Sequence, residues 1–269
     1  MEKDSIKLFS VIIPVFHQEK TIASNLKKIK FILDELPVRS ELIVVIDGGG
    51  DKSFAEALKL KSKNFKVVGY KTNHGKGYAI RYGMAQSKGD AIGFLDAGGD
   101  LHEAGLRMLL DYYQWYGADI VVGSKRHPES KVAYPFFLKI LSIGYQLLVR
   151  ILFGLNIRDS QVGMKIYRRN VLEDVLPRLL VKRFAFDIEI LAVSWRLGYK
   201  KIVEAPIELD FTGASTIAST GFWKVVMNML WDTCAVFYRL KILRYYDKEN
   251  SRKWRYDPEL NFRINTGEI

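Results

Sequence analysis

The chain has 269 residues, 48% of them hydrophobic and 26% charged, with a single cysteine. This composition is typical of one globular domain, and it excludes collagen-like, low-complexity and wholly disordered chains, an internal disulfide framework and a cysteine-rich zinc site. The net charge is +11, and residues 121–269 carry most of it, with 24 Lys and Arg against 15 Asp and Glu. This half is therefore expected to meet an anionic partner: nucleic acid, phosphate groups or an acidic membrane surface.

The first 123 residues alternate short β-branched runs with segments of helical periodicity. Strands are predicted at residues 9–14, 41–47, 65–70, 91–96 and 119–123. Helices are predicted at residues 19–36, 51–63, 77–87 and 103–116, the second of them with Phe54, Ala57 and Leu58 facing inward. This alternation predicts an α/β fold, a mostly parallel sheet with helices on both faces, in which ligands bind beyond the carboxyl ends of the strands.

The second half is more apolar and aromatic, with isolated cations. A helix is predicted at residues 186–197, one or two strands at 201–211, and apolar helices at 135–155 and 222–246. The two apolar helices are interpreted as amphipathic helices that lie in a membrane interface, the alternative being that both are core helices.

Neither a secretory signal nor a membrane-spanning segment is predicted. The apolar run 8–16 is short and contains Pro14. No apolar run reaches the ~18 residues that a spanning helix needs. The longest uncharged stretch in the two apolar segments, residues 140–149, is bracketed by Lys139 and Arg150.

Three predicted strand or helix ends carry residues suited to a nucleotide. The motif Asp96-Ala-Gly-Gly-Asp100 follows a strand, and its carboxylates suit Mg²⁺ or Mn²⁺ bridging a diphosphate. Asp47, followed by three glycines and Asp51, can hydrogen-bond a base or ribose. The segment 73–77, Asn-His-Gly-Lys-Gly, opens a helix where phosphate binds readily. The alternative for the aspartates is that they only cap loops and helices. The four histidines lack metal-ligand spacing.

Together these motifs resemble the GT-A glycosyltransferases of family 2, over residues 8–245. The resembling segments are 11–15 with Glu19, 44–48 with Asp51, 73–77 with Arg81, 94–97, 121–124, 153–155, 159–165 and 184–189. The last two are most similar to the branch that transfers a sugar to dolichyl or polyprenyl phosphate. The resemblance implies residues 1–212 as the catalytic domain, 213–246 as a membrane-interface region and 247–269 as a polar tail.

The resemblance also implies roles for individual residues. Those expected at the nucleotide are Pro14, Val15, Glu19, Asp47, Lys76, Asp96 and Ala97. Asp96, Asp159 and Lys76 are expected to be catalytic, with Asp96 the first member of a metal-binding Asp-x-Asp motif. Lys125, Lys139, Ser142, Gln161 and Lys165 are expected on the acceptor side.

The sequence departs from the family pattern in the metal motif. Gly98 stands where the second aspartate is usual, and Asp100 stands two residues further on. We therefore expect Asp96 and Asp100 to hold the cation. Ile46 and the pair His17 and Gln18 also differ from the common residues, which leaves the nucleotide open.

The expected reaction is inverting transfer of a hexose from a UDP- or GDP-linked donor to polyprenyl or dolichyl phosphate, at the cytoplasmic face of a membrane by a peripheral protein. The alternatives are a family 2 enzyme with a glycan hydroxyl acceptor, and a nucleotide-sugar binder whose catalysis is weakened because of Gly98. Nucleic acid is not an expected partner, because no RRM, KH, zinc-finger or helix-turn-helix signature accompanies the charge. The sequence indicates no oligomeric state.

Overall fold

A computed structural model describes residues 6–133, 135–210, 221–247, 254–257 and 262–265. The strands are β1 (Phe9–Val15), β2 (Ser40–Asp47), β3 (Phe65–Tyr70), β4 (Ala91–Leu95), β5 (Ile120–Ser124), β6 (Lys131–Ala133), β7 (Met164–Arg168), β8 (Ile202–Pro206), β9 (Glu208–Asp210), β10 (Trp254–Asp257) and β11 (Phe262–Asn265). The helices are α1 (Ile22–Asp34), α2 (Ser53–Leu58), α3 (Lys76–Ala85), α4 (Gly105–Tyr116), α5 (Phe136–Phe153), α6 (Arg169–Val175), α7 (Phe186–Leu197) and α8 (Phe222–Phe237). A 3₁₀ turn (Leu176–Arg178) follows α6, and a π turn (Tyr238–Ile242) follows α8.

The main sheet has seven strands in the order β3-β2-β1-β4-β7-β5-β8. All neighbours are parallel except β7, which runs antiparallel to both β4 and β5. This arrangement confirms the mostly parallel α/β fold. The carboxyl ends of β1, β2 and β4 meet at one edge, because these strands are parallel neighbours or next neighbours. The side chains that follow them therefore converge on one place.

Each face of the sheet is covered by a separate layer of the core. Alternate residues of β1 point to opposite faces, so Ile12 joins one layer while Val11 and Ile13 join the other. The layer around Ile12 also contains Val236 and Tyr246 from the C-terminal region. The part of this region from Val236 to Tyr246 is therefore packed against the same core as the sheet.

Helix α2 is shorter than predicted. It spans six residues, and only Ala57 of the three expected inward side chains is buried, whereas Phe54 and Leu58 are exposed. The prediction for Phe54 and Leu58 was wrong because the buried side of this short helix is formed by Ser53 and Ala57, four residues apart, and Phe54 and Leu58 lie beside that side.

The C-terminal boundaries also differ from the expectation. Helix α8 ends at Phe237 and gives way to the π turn, so one continuous α-helix over 222–246 is not formed. The expected boundary between residues 212 and 213 lies outside the described residues. Within the polar tail, β10 and β11 pair as antiparallel strands.

Helix α5 is the longest helix of the described chain and the most exposed apolar one. Its 18 residues have a mean hydropathy of 1.7, so by length and composition it could cross a membrane. The expectation that no segment passes this test is therefore not confirmed. The reason is that Lys139 and Arg150 lie near the helix ends, where long side chains extend their charges past an apolar layer. In the structure, Gln146, Val149 and Phe153 pack this helix against the domain.

Candidate active site

A cavity of about 670 Å³ lies beyond the carboxyl ends of β1, β2 and β4. Its walls include Pro14, Val15, Asp47, Asp96 and Ala97, all expected at the nucleotide. Residues of α8 and of the loop before α7 also line it. The predicted convergence of the strand ends is therefore confirmed by the structure.

Asp47 organises the loop that opens α3. Its Oδ1 accepts a hydrogen bond of 2.8 Å from the His74 amide, and its Oδ2 accepts one of 2.9 Å from the Gly75 amide. Gly75 has a φ of 100°, and a Cβ there would lie 2.7 Å from the Lys182 carbonyl oxygen. Only glycine suits that position. Asp47 thereby fixes the backbone from which Lys76 extends into the cavity.

Lys76 and Lys165 alternate with two aspartates in a row of charges that begins at the cavity wall and continues into the protein interior. The Lys76 Nζ lies 2.9 Å from Oδ2 of Asp96 and 3.6 Å from Oδ2 of Asp187. The other Asp187 oxygen binds the fully buried Lys165. Burial lowers the pKa of Lys76, but Asp96 and Asp187 outweigh this and raise it. Burial dominates at Lys165, whose pKa is lowered. Lys76 therefore stays cationic at the place where an anionic leaving group would form.

Asp96 is held against the backbone of Gly163. Its amide donates a hydrogen bond of 2.8 Å to the Gly163 carbonyl oxygen. A Cβ at Gly163 would lie 1.8 Å from Asp96 Oδ2 and 2.2 Å from its Cγ. Glycine is thus required at 163 for the Asp96 carboxylate to keep its position.

Asp100 also borders the cavity, after the turn through Gly98 and Gly99. A Cβ at Gly98 would have no atom of the described residues within 4 Å, so the space beside this glycine is open in the described part of the chain. The described residues contain no cluster of three His, Cys, Asp or Glu side chains suited to a metal. The available donor set is two carboxylates facing one cavity.

Asp159 positions two residues of the cavity wall, Lys125 and Gln161. It is 2% exposed and accepts backbone hydrogen bonds from both residues, at 3.2 Å from Lys125 and 3.1 Å from Gln161. The Lys125 Nζ lies 3.4 Å from Asp159 Oδ2. Lys125 and Gln161 border the cavity whereas Asp159 lies behind them. The expected catalytic contact of Asp159 with a substrate is thus replaced by a positioning contact.

Four further residues expected at a substrate lie away from the cavity wall. Glu19 accepts a hydrogen bond of 2.9 Å from the Lys52 amide and so ties two loops together. Ser142 accepts a hydrogen bond of 2.8 Å from Arg126 Nη2. Lys139 is exposed in the first turns of α5. Lys165 is enclosed beneath the sheet edge with Asp187 and the Val162 carbonyl oxygen, so direct contact of Lys165 with an acceptor is wrong for this structure.

The structure adds wall residues that the sequence reasoning missed. They are Gln18, Arg183 and one side of α8, which contributes Lys224, Val225, Asn228, Met229 and Asp232. The atoms Gln18 Oε1 and Gln161 Nε2 are buried and have no hydrogen-bond partner among the described residues. Buried polar atoms usually have a hydrogen-bond partner, and an ordered water or a polar group of a ligand would supply the missing hydrogen bonds here. The four-residue spacing of Lys224, Asn228 and Asp232 is the sequence pattern that could have indicated a polar side of α8 at the cavity.

The family model described as "Glycosyl transferase family 2" matches residues 10–176. The chain belongs to this family. It is therefore a glycosyltransferase, as the motifs at its strand ends predicted.

Similar proteins include the dolichyl-phosphate beta-glucosyltransferases of two animals. The one from Drosophila melanogaster is 30% identical over 232 residues, which is 80% of this chain and 70% of the relative. The one from Homo sapiens is 30% identical over 236 residues, which is 81% of this chain and 71% of the relative.

Among solved structures, glucosyl-3-phosphoglycerate synthase from Mycobacterium tuberculosis in complex with Mn²⁺, UDP and phosphoglyceric acid superposes with a TM-score of 0.64. The identity is 20%, with 96% of this chain and 86% of that chain covered. This similarity confirms the GT-A fold.

Proposed function

We propose that this glycosyltransferase moves a glucosyl residue from a nucleotide-sugar to a dolichyl or polyprenyl phosphate, with inversion at the sugar. One observation carries the proposal: the cavity is lined both by the carboxylates of the strand ends and by one side of α8, a helix that also carries exposed aromatic side chains. Such a cavity gives a water-soluble donor and a lipid-linked acceptor access to one site. The names of the relatives at 30% identity support glucose as the sugar and dolichyl phosphate as the acceptor.

The donor end lies at β1, β2 and β4. Pro14 and Val15 supply an apolar wall for a base, and Asp47 holds the loop that carries Lys76. Lys76 faces the place of the diphosphate with its charge maintained by Asp96 and Asp187. It stabilises negative charge as the glycosidic bond to the leaving group breaks.

The donor set fits a divalent cation that is shared with the substrate. Mg²⁺ and related ions are commonly held by one or two carboxylates together with phosphate oxygens and water. Asp96 and Asp100 face the same cavity and are the residues that would hold it. When bound, such a cation neutralises charge on the departing diphosphate. The open space around Gly98 leaves room for phosphate oxygens.

The acceptor supplies its own nucleophile. A phosphate monoester carries about −1.5 to −2 charges at neutral pH, so its oxygen attacks C1 of the sugar without a strong general base. The new C1–O bond forms as the bond to the nucleoside diphosphate breaks, so one displacement converts an α-linked donor into a β-linked product. Asp159 holds Lys125 and Gln161 at the cavity wall, where they orient the reacting groups.

Helices α5 and α8 form the proposed membrane-facing side of the protein. They contact each other through the 2.8 Å hydrogen bond between Tyr145 and Thr233 and through the rings of Phe153 and Phe237. Their exposed large side chains include Phe136, Ile140, Leu147, Ile151, Trp223 and Trp231. A continuous aromatic and aliphatic surface with flanking cations is typical of a protein that lies in a membrane interface. We place this face on the cytoplasmic side of a membrane.

The two alternatives have less support. A glycan hydroxyl acceptor does not explain why α5 and α8 expose an apolar face. The names of the relatives also favour a lipid phosphate. A binder with weakened catalysis would follow from losing one carboxylate at Gly98, but Asp100 returns a carboxylate to the same cavity.

The test offers the purified protein a polyprenyl phosphate, Mg²⁺ or Mn²⁺, and a panel of radiolabelled UDP- and GDP-sugars. Transfer of glucose into the organic phase, abolished by Asp96→Asn, supports the proposal. If only another sugar is transferred, that sugar and not glucose is the substrate. Transfer only to water-soluble glycans would refute the lipid acceptor.

A further inference from the structure

We propose that Arg183 and Lys224 form the site that holds the phosphate of the lipid acceptor at the rim of the cavity. The inference rests on the proposed function, and it differs from the acceptor residues expected from the sequence. Both side chains border the cavity and both residues are exposed, Arg183 in the loop before α7 and Lys224 in the first turn of α8.

Helix α8 carries two neighbouring rows of side chains with different character. Lys224, Asn228 and Asp232 follow one another at intervals of four residues and border the cavity. Each is preceded by one residue of the second row, Trp223, Met227 and Trp231, which are 64%, 62% and 77% exposed. Successive residues of a helix lie about 100° apart around its axis, so the two rows run side by side. The polar wall of the cavity therefore continues into an exposed apolar surface along one helix.

Two cationic side chains of the cavity wall form close ion pairs with carboxylates, and two do not. Lys76 pairs with Asp96 and Asp187, and Lys125 pairs with Asp159. Among the residues that the structure describes, neither Arg183 nor Lys224 forms a close ion pair, and the carboxylate that interacts with Arg183 at longer range is that of Asp232. An incoming dianion gains most from cations whose charge is not already neutralised.

Asp232 shows that Arg183 lies within electrostatic reach of this side of α8. Partial burial raises the pKa of the Asp232 carboxyl, and Arg183 and Arg239 oppose that shift. Arg183 and α8 thus face the same part of the cavity. A phosphate held there would share one cavity with Lys76 and Asp96, which also border it.

The position of the two cations favours a lipid phosphate over the donor diphosphate. The donor end is formed by the strand ends, whereas Lys224 lies next to the exposed Trp223. A phosphate held at the boundary between the polar wall and the apolar row lets a polyprenyl chain leave the cavity over Trp223, Met227 and Trp231 without crossing polar surface. The same cations could bind the diphosphate of a donor, so the experiment separates the two sources.

The experiment compares Lys224→Ala and Arg183→Gln with the matched control Lys241→Ala. Lys241 is an exposed lysine in the π turn after α8 and is not part of the cavity wall, so Lys241→Ala removes the same charge from the protein outside the proposed site. We expect Lys224→Ala and Arg183→Gln each to raise the KM for polyprenyl phosphate about tenfold, as for loss of one charge-assisted hydrogen bond. The KM for the nucleotide-sugar should match that of the control. A rise in the donor KM instead would assign the site to the diphosphate, and an acceptor KM equal to the control would overturn it.

A binding measurement separates failure of this site from failure of the proposed function. Phosphatidylcholine vesicles, plain or doped with polyprenyl phosphate, are titrated with each protein. Stronger binding to doped vesicles that is lost in Lys224→Ala and kept in Lys241→Ala supports the site even if no sugar transfer is detected. Equal preference for doped vesicles in both variants overturns the site even if transfer proceeds.

Discussion

Replacing Gly163 with alanine should move the carboxylate of Asp96 without changing any charge. The added Cβ would lie 1.8 Å from Asp96 Oδ2, and contacts under 3.0 Å essentially do not occur. The carboxylate must therefore retreat by at least about 1.2 Å. The φ of Gly163 is not in the left-handed region, so alanine is compatible with the backbone and the effect falls on Asp96.

The expected loss of rate and of metal–nucleotide affinity follows from the displacement of the Asp96 carboxylate. A misplacement of about 1 Å in a catalytic site can cost roughly 10²-fold in rate. Loss of one contact to a charged group costs about 1.5–3 kcal/mol, which is roughly ten- to hundredfold in affinity. We therefore expect Gly163→Ala to weaken binding of Mn²⁺ together with a nucleoside diphosphate by about ten- to hundredfold, as measured by titration calorimetry.

The matched control is Gly144→Ala in α5, where a Cβ has no atom within 4 Å. This variant should keep the affinity of the unmodified protein, and Asp96→Asn should resemble Gly163→Ala. Circular dichroism on all three variants checks that they fold. A folded Gly163→Ala variant with unchanged affinity would refute the role of Gly163 and of the Asp96 position.

Three further predictions concern stability and the membrane. Asp187→Asn leaves the Lys165 ammonium buried without its carboxylate, so denaturant unfolding should show a loss of about 3–5 kcal/mol, and a loss below about 1 kcal/mol would contradict the pairing. Asp247 forms a bidentate pair with Arg196, at 2.7 and 2.6 Å, which lowers its pKa from 3.8. The pair contributes stability above pH 3.8 that is lost as the pH falls through the lower, folded-state pKa, so Asp247→Asn should cost up to about 1 kcal/mol at pH 7 and progressively less as the pH falls below 3.8; a cost in denaturant unfolding that does not shrink with falling pH would contradict the pairing. Trp231→Glu should weaken vesicle binding while leaving the melting temperature unchanged, because this side chain is 77% exposed, and unchanged vesicle binding would argue against the membrane face.

The order of strands and helices around the nucleotide end was predictable because local patterns determine it. Apolar runs such as 41–47 end at Asp47, and parallel strands bring such ends to one edge of the sheet. The family motif at Asp96 adds the chemistry. Both signals lie within a few residues along the chain, where sequence spacing is informative.

The acceptor end was less predictable because long-range packing determines it. Lys165 lies in the acceptor-side motif, yet its side chain points to Asp187, 22 positions away on α7. Asp159 is buried behind Lys125 by contacts that span 34 positions. Which side of an apolar helix lines a cavity depends on its packing, so the row of Lys224, Asn228 and Asp232 became recognisable only with the fold.

The length of the apolar helix α5 was also underestimated from the sequence. The uncharged stretch is bounded by Lys139 and Arg150, whereas the folded helix Phe136–Phe153 is continuous through both residues. Its buried side, Gln146 with Val149 and Phe153, is set by contacts such as the 2.8 Å hydrogen bond from Gln146 Nε2 to the Ile157 carbonyl oxygen. Such contacts cannot be inferred from hydropathy.

The most direct test of the central claim is the coupling between donor cleavage and lipid glycosylation. The measurement counts the nucleoside diphosphate released and the glucose gained by the organic phase in the same reaction, with and without polyprenyl phosphate. We expect one nucleoside diphosphate for each glucose transferred, release that depends on the acceptor, and a β-linked product. Release of the nucleoside diphosphate without any glucose in the lipid fraction, at the same rate with and without acceptor, would contradict the proposed transfer.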